Sequence, residues 1–329
     1  MNVTFHYRKQ GCAFSMEQVF ADLRGALPQD IVQSEFFCPH RAAAPRAMWE
    51  NCQQAKRHVG EVNHITGEVH YLALALPRRG LVLTIHDTGD TNAFSGWKKR
   101  VFEYLWFTGP IRRAQAVTFI SESSRRATEQ LIGRRIPLAE VIPDPVSPAF
   151  CYEPKAFPQH TPRILCLGTK VNKNLERLAE ALCGLDVELR LIGEPTEQQA
   201  NAFRENKIKL STAQNLLAEE IVEEYRAADI VSLVSTFEGF GLPIVEGQAT
   251  GRVVITSNIE PMIDTAGDGA CLVDPMDVGS MRAGFERLLH DARLRAALIE
   301  KGLVNAQRFS AETIAGQYAS LYERVLNES

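Results

Sequence analysis

The chain is predicted to fold as an α/β protein with two parallel sheets, each covered by helices on both faces. Three observations carry that prediction. Short apolar, β-branched runs alternate with segments of helical period along both halves. A break marked by Pro143, Pro145 and Pro148 separates the halves, and the alternation restarts at Arg163. A length of 329 residues corresponds to about two domains, each large enough for a core of its own.

In the first half the pattern gives strands over 2–7, 31–37, 62–65, 81–85, 116–120 and 140–142. Between them fall helices over 15–26, 46–58, 69–76, 97–108 and 121–132, with Ser15 a cap for the first and Ser121 or Ser123 for the last. In the second half strands are expected over 164–167, 189–192, 229–234, 253–256 and 271–273. Helices are expected over 175–182 and 218–228, from Pro243 onward, and from 278 to the end, with a turn region around Pro261 and Gly267.

Composition is that of an ordinary globular protein, 45% hydrophobic and 23% charged. The net charge of −4 divides into +4 over residues 1–150 and −8 over the remainder. A basic first half suits an anionic membrane surface or a phosphorylated acceptor, and equally a solvated face. Seven cysteines, with no Cys-x-x-Cys pair and no His/Cys cluster, argue against a disulfide framework and against a zinc site. A reducing, cytosolic setting is expected, peripheral to a membrane at most, because no apolar run reaches membrane-spanning length and the first residues read as a strand rather than a signal peptide. The stretch 97–113 interleaves bases with aromatics, so it either lies in a membrane interface or turns Phe102, Leu105 and Trp106 into the core. Without a strand platform for base stacking, nucleic acid is not an expected partner.

The most informative stretch is 229–258, which reads strand, loop, helix, strand. Gly239, Gly241 and Pro243 break the strand pattern, and Pro243, with φ preset and no N–H to lose, suits the first turn of a helix. Such a helix start offers unpaired N–H groups and a positive dipole end to an anion. Yet Glu238 and Glu246 bracket the same loop, and carboxylates fit hydroxyl groups rather than phosphate. A ligand with a diphosphate between polyhydroxylated groups, such as a nucleotide sugar, uses both features. An ordinary turn with a solvated glutamate at each end would show the same residues.

Ligands of doubly wound sheets bind beyond the carboxyl ends of strands, which singles out three further places. His86 and Asp87 follow the run LVLTI, where an imidazole either meets a sugar hydroxyl or is satisfied by backbone. Gly11 ends the first strand and allows either a close backbone approach or a tight turn. Lys173, in the loop Gly168-Thr169-Lys170-Val171-Asn172-Lys173-Asn174, stands at a loop-helix junction as a phosphate partner or a solvated cation.

Taken together, the Glu238-Gly239-Phe240-Gly241-Leu242-Pro243 run through Glu246, the Asn172-Lys173-Asn174 helix entry, His86-Asp87, and Asp274-Pro275 followed by a last helix carrying Tyr318 and Tyr322 resemble the GT-B glycosyltransferases of family 4. The segment Asn63-His64-Ile65-Thr66-Gly67 is similar to bacterial members that assemble surface polysaccharides. The resemblance implies two Rossmann-like domains facing across a cleft, an acceptor-side domain over 1–146, a linker over 147–162, a donor-nucleotide domain over 163–310, and a helix over 311–329 packing back on the first domain. It implies a retaining transfer of a hexose from a nucleoside-diphosphate sugar to a glycan or lipid-linked acceptor, with no cofactor and no metal required. By the same resemblance Glu246 would bind the ribose hydroxyls. Gly11, Gly239, Gly241 and Leu242 would line the diphosphate, with Phe240 shaping the loop, Lys173 would neutralise the departing phosphate, and Thr169 would be a further donor-binding residue. Glu238 and His86 would be the catalytic pair at the transferred sugar. One departure is that many members carry an arginine shortly before the lysine, where this chain has only Lys170. A nucleotide-sugar epimerase of the same fold and a non-catalytic nucleotide-sugar-binding subunit are the alternatives.

Overall fold

A computed structural model describes residues 1–11, 15–42, 44–88 and 95–327, and the Ser15 side chain, expected to cap the first helix, lies outside what is described. The chain divides into two compact units, one formed by 1–145 together with 311–329 and the other by 146–310.

In the first unit six parallel strands are ordered β2-β1-β3-β4-β5-β6. They are β1 (Asn2–Tyr7), β2 (Val32–Phe37), β3 (Val62–Ile65), β4 (Leu81–Ile85), β5 (Ala116–Phe119) and β6 (Ala139–Val141). The central strands β3, β4 and β5 are buried along their whole length, as strands covered on both faces must be, whereas edge strand β2 is mostly exposed. From β1 the chain steps outward to β2 and then returns to place β3 on the other side, so the sheet has its switch point between β1 and β3.

Helices α1 (Ser15–Ala26), α2 (Pro45–Ala55) and α5 (Glu122–Ile132) lie near their expected positions. Ser121, not Ser123, caps α5 by accepting from the Ser124 N–H at 3.0 Å. Two expectations change. The segment expected as a helix over 69–76 is a 3₁₀ turn, His70–Leu74. The one expected over 97–108 is α3 (Gly96–Glu103), a wider π turn at Tyr104–Thr108, and α4 (Gly109–Arg113). Of the two readings of this stretch, Phe102 and Trp106 pack on the core while Trp97, Val101 and Tyr104 stay exposed.

The last helix, α13 (Ala311–Asn327), belongs to this unit and is fastened to its sheet by a buried polar chain. The His64 ring joins the Tyr322 hydroxyl at 2.7 Å through Nδ1 and the Thr84 hydroxyl at 2.7 Å through Nε2, and Thr84 meets Thr118 at 2.6 Å. Burial depresses the His64 pKa to about 3, so the ring is neutral and gives one donor and one acceptor to the chain. Tyr322→Phe strands one ring nitrogen in the core. Urea denaturation is expected to register a loss of about 1–3 kcal/mol.

The second unit repeats the design with order β12-β11-β10-β7-β8-β9, all parallel. Its strands are β7 (Arg163–Leu167), β8 (Glu188–Ile192), β9 (Lys209–Ala213), β10 (Ile230–Leu233), β11 (Val253–Ser257) and β12 (Cys271–Val273). Its helices are α6 (Leu175–Leu182), α7 (Glu197–Glu205), α8 (Ala218–Ala227), α9 (Leu242–Ala249), α10 (Met262–Ala266), α11 (Val278–His290) and α12 (Ala292–Ala306). One face of the sheet packs Leu178, Leu182, Phe203 and Phe285, and another cluster holds Tyr225, Ile244 and Met262. Each such side chain contributes about 1.5–3 kcal/mol on burial.

Sequence reasoning passed over α7 and β9. The α7 start is a capping box that the sequence spells as Thr196-x-x-Gln199. It also read as turn the short α10, and placed the start of α9 one residue late. Here β7 runs to β8 and β9 on one side, and β10 then takes the other side of β7, putting the switch point between β7 and β10. The loops after those two strands therefore emerge side by side.

Candidate functional site

The loop after β7 carries Gly168, Thr169 and Lys173, and the loop after β10 carries Glu238 to Gly241. The switch point makes them neighbours, and Lys173 Nζ lies 2.6 Å from Glu238 Oε1. The same carboxylate oxygen accepts from the Ser235 hydroxyl at 2.6 Å and from Asn172 Nδ2 at 3.4 Å. Both charged side chains are mostly covered, at 17% and 15% exposed. Two residues assigned separately from the sequence, one to phosphate and one to sugar, are thus a charge-assisted pair.

Local backbone sets this geometry. Asn174 has φ of 58° and is buried, and its side-chain amide donates to the carbonyls of Val234 at 3.1 Å and Pro275 at 2.7 Å. It ties the end of β10 and the residue after Asp274 to the start of α6. Gly168 has φ of 86°, and a Cβ there would lie 3.2 Å from Lys173 Cε, so the bare glycine backbone is the surface along which the lysine stem runs. Thr169 sits beside Gly193 and accepts from Gln199 Nε2 at 3.0 Å through its carbonyl. Lys170 is exposed.

Helix α9 opens at Leu242 from Gly241, whose φ of 101° only glycine holds without strain. The N–H of Ile244 is bonded to the Gly241 carbonyl at 2.9 Å and Pro243 has none, which leaves the Gly241–Leu242 end as the donor face of the helix. Phe240 is buried against Phe309, ring centroids 5.4 Å apart, and its carbonyl accepts from Thr265 at 2.8 Å. With α9 starting at Leu242, Glu246 falls just past the first turn. Its half-buried carboxylate accepts from the Tyr225 hydroxyl. Burial raises its pKa to about 7, against the opposing pulls of the Tyr225 hydrogen bond and the Lys173 charge. The sequence motif includes Asn172 without assigning it a role, and it does not single out Ser235 or Tyr225. Asn172 sits next to the lysine and Ser235 three residues before Glu238, whereas nothing in the sequence pairs Tyr225 with Glu246.

The first unit holds Gly11 and His86. Gly11 is an exposed turn residue with φ of 78° and open space where a Cβ would be, so its conformation, not crowding, requires glycine. The base of its loop is closed by Arg8, whose guanidinium forks onto Glu17 at 2.8 and 2.9 Å. The loop around Phe94 lies outside the described residues. His86 Nε2 stands 2.8 Å from the Thr66 carbonyl, and Nδ1 faces the Asp144 carboxylate at 3.7 Å. Burial alone would lower the His86 pKa, but Asp144, Thr66 and Asp87 together outweigh it and the net shift is upward. Asp144 lies in the proline-marked break, which had been read only as a spacer.

Residues 153–303 match the family model described as glycosyl transferases group 1. The MMP alpha-(1->4)-mannosyltransferase of Mycolicibacterium hassiacum is 31% identical over 47% of this chain and 40% of its own length. The O-antigen chain mannosyltransferase B of Escherichia coli is 33% identical over 32% of this chain and 28% of its own. These alignments span less than half of the curated relatives. Among solved structures, Anabaena Alr3699/HepE, determined with UDP and glucose, superposes with a TM-score of 0.75 at 18% identity over 98% of this chain and 99% of that one. Sucrose-phosphate synthase from Thermosynechococcus elongatus gives 0.79 at 17% over all of both chains. At such identities these two likenesses establish the fold, which is GT-B.

Proposed function

We infer that this chain, a GT-B protein of the family 4 type that carries the group 1 glycosyl transferase sequence over residues 153–303, moves a hexose from a nucleoside-diphosphate sugar to an acceptor with retention of configuration. The observation that carries the reading is the meeting of Lys173 and Glu238 at the switch point of the second unit, in the two loops that flank the entry to α9. A diphosphate at the Gly241–Leu242 end takes the N–H groups and draws Lys173 toward its charge. Glu246, four residues along the helix, takes the ribose hydroxyls. As Lys173 shifts to phosphate, Glu238 keeps Ser235 and Asn172 and presents its other oxygen to the transferred sugar.

In this reading the C1–O bond to phosphate breaks while the acceptor oxygen bonds to C1 on the same face. The acceptor proton passes to the departing phosphate oxygen. Catalysis is then charge stabilisation and positioning, supplied by Lys173 and the helix end without a required metal; His86, whose ring nitrogens face the Thr66 carbonyl and the Asp144 carboxylate, acts near the transferred sugar through its charge rather than through a hydrogen bond. The relative named as an O-antigen chain mannosyltransferase supports a glycan or lipid-linked acceptor of bacterial surface-polysaccharide type. Peripheral membrane contact is supported by α3, which buries no residue. Trp97, Val101 and the following Tyr104 lie exposed along one side, beside exposed Lys98 and Arg100.

The test is a screen of UDP-, GDP- and ADP-sugars by thermal shift and donor hydrolysis. One class is expected to raise the melting temperature and to be consumed. Release of an isomerised sugar without acceptor, or no response to any donor, would contradict the reading.

A further inference from the structure

We propose that Asp144 is a positioning residue for His86, holding the ring in one orientation and in its doubly protonated form, an assignment whose catalytic consequence rests on the function inferred above. The hydrogen bond at the far side of the ring fixes the first proton. A carbonyl only accepts, so the 2.8 Å contact to Thr66 requires a proton on Nε2. A neutral ring would then turn the bare lone pair of Nδ1 toward the Asp144 carboxylate at 3.7 Å, an unfavourable arrangement in a place where the two side chains are only 15% and 11% exposed. A proton on Nδ1 converts that repulsion into attraction.

The surroundings fix both members. Asp144 stands between Pro143 and Pro145, whose rings lock their own φ and bias the residue before Pro145 toward an extended backbone. His86 is held by its own carbonyl, which accepts from the Ser124 hydroxyl at 2.7 Å. Its ring edge fits against Gly67, where a Cβ would come within 2.8 Å of Cδ2. The Phe20 ring of α1 packs edge-on at 6.1 Å and brings no charge. The other titratable neighbours do not compete for the proton. His64 of β3 and His70 of the 3₁₀ turn are both held neutral by burial, at about 3 and about 4. Asp87 adds a second negative charge beside the ring. Without Asp144, burial would favour neutral imidazole.

A cation there offsets the Asp144 and Asp87 carboxylates that an anionic nucleotide-sugar substrate would otherwise meet, and its loss sets an upper pH limit on turnover. Imidazole NMR of ¹⁵N-labelled protein, read across pH, tests the pairing without substrate. His86 is expected to titrate above the ordinary histidine value, to move to lower pH in Asp144→Asn, and to move back in Asp144→Glu. The alkaline limb of kcat/KM is expected to follow the same order. A wild-type His86 that titrates at or below the ordinary value overturns the proposal whether or not the variants fold, as does a titration unmoved in Asp144→Asn. If the NMR shifts occur while no nucleotide sugar is turned over, the pairing stands and the inferred function fails.

Discussion

Lys173→Ala is expected to lower kcat by about 10²–10³, the effect of removing one preorganised charge partner from the transition state. The lysine is the side-chain cation that meets Glu238, and its stem lies along the bare backbone of Gly168. The substitution also leaves Glu238 with Ser235 and Asn172 as neutral donors. Breaking a partly covered ion pair costs stability, here about 1–3 kcal/mol after allowing for the solvent that still reaches both side chains. Steady-state kinetics and urea denaturation on the same preparation separate the two effects. Arginine is expected to substitute poorly, because its planar fork does not reproduce the compact ammonium that meets Glu238 Oε1 at 2.6 Å. A variant that keeps full turnover would remove Lys173 from the mechanism.

Glu246→Gln is expected to make the ligand-free protein more stable above neutral pH and to leave it unchanged near pH 4.5. The Glu246 pKa is raised from 4.5 to about 7 in the fold. The protonated form is therefore the one the fold favours. Its contribution to stability is complete below the unfolded-state value and is lost as pH rises through the folded one, by at most about 3 kcal/mol. The glutamine cannot ionise, so its melting temperature should not fall over that window. Binding reverses the preference, because ribose hydroxyls donate to carboxylate and favour its charged form. Nucleotide-sugar affinity is accordingly expected to rise with pH between about 5 and 7. Calorimetry in buffers of different ionisation enthalpy should register proton release in wild type and none in the variant.

What the sequence made legible follows from how local each signal is. Every strand but β9 is readable because covered parallel strands are continuous apolar runs, such as LVLTI over 81–85, and because glycine and proline mark their ends, whereas β9 is the partly exposed edge run KLSTA. The break of 97–108 into α3, a π turn and α4 was not readable, since a π turn needs no distinctive residue. In the site, the residue types at Lys173, Glu238 and Glu246 carried their own chemical suggestion. Their partners did not. Tyr225 and Glu246 are separated by 21 residues, and only the packing of α8 against the sheet beside α9 brings them together. The meeting of Lys173 with Glu238 depends on strand order, which no local pattern encodes. His86 and Asp144 are likewise joined by the fold, across 58 residues of chain.

The most direct measurement of the central claim is calorimetric titration of UDP, GDP and ADP into the wild-type protein and into Glu246→Ala. The account predicts saturable binding of one nucleotide by the wild type and a loss of at least about tenfold in the variant, the equivalent of one hydrogen bond to a charged group. Binding of equal strength in both proteins, or binding in neither, would contradict it.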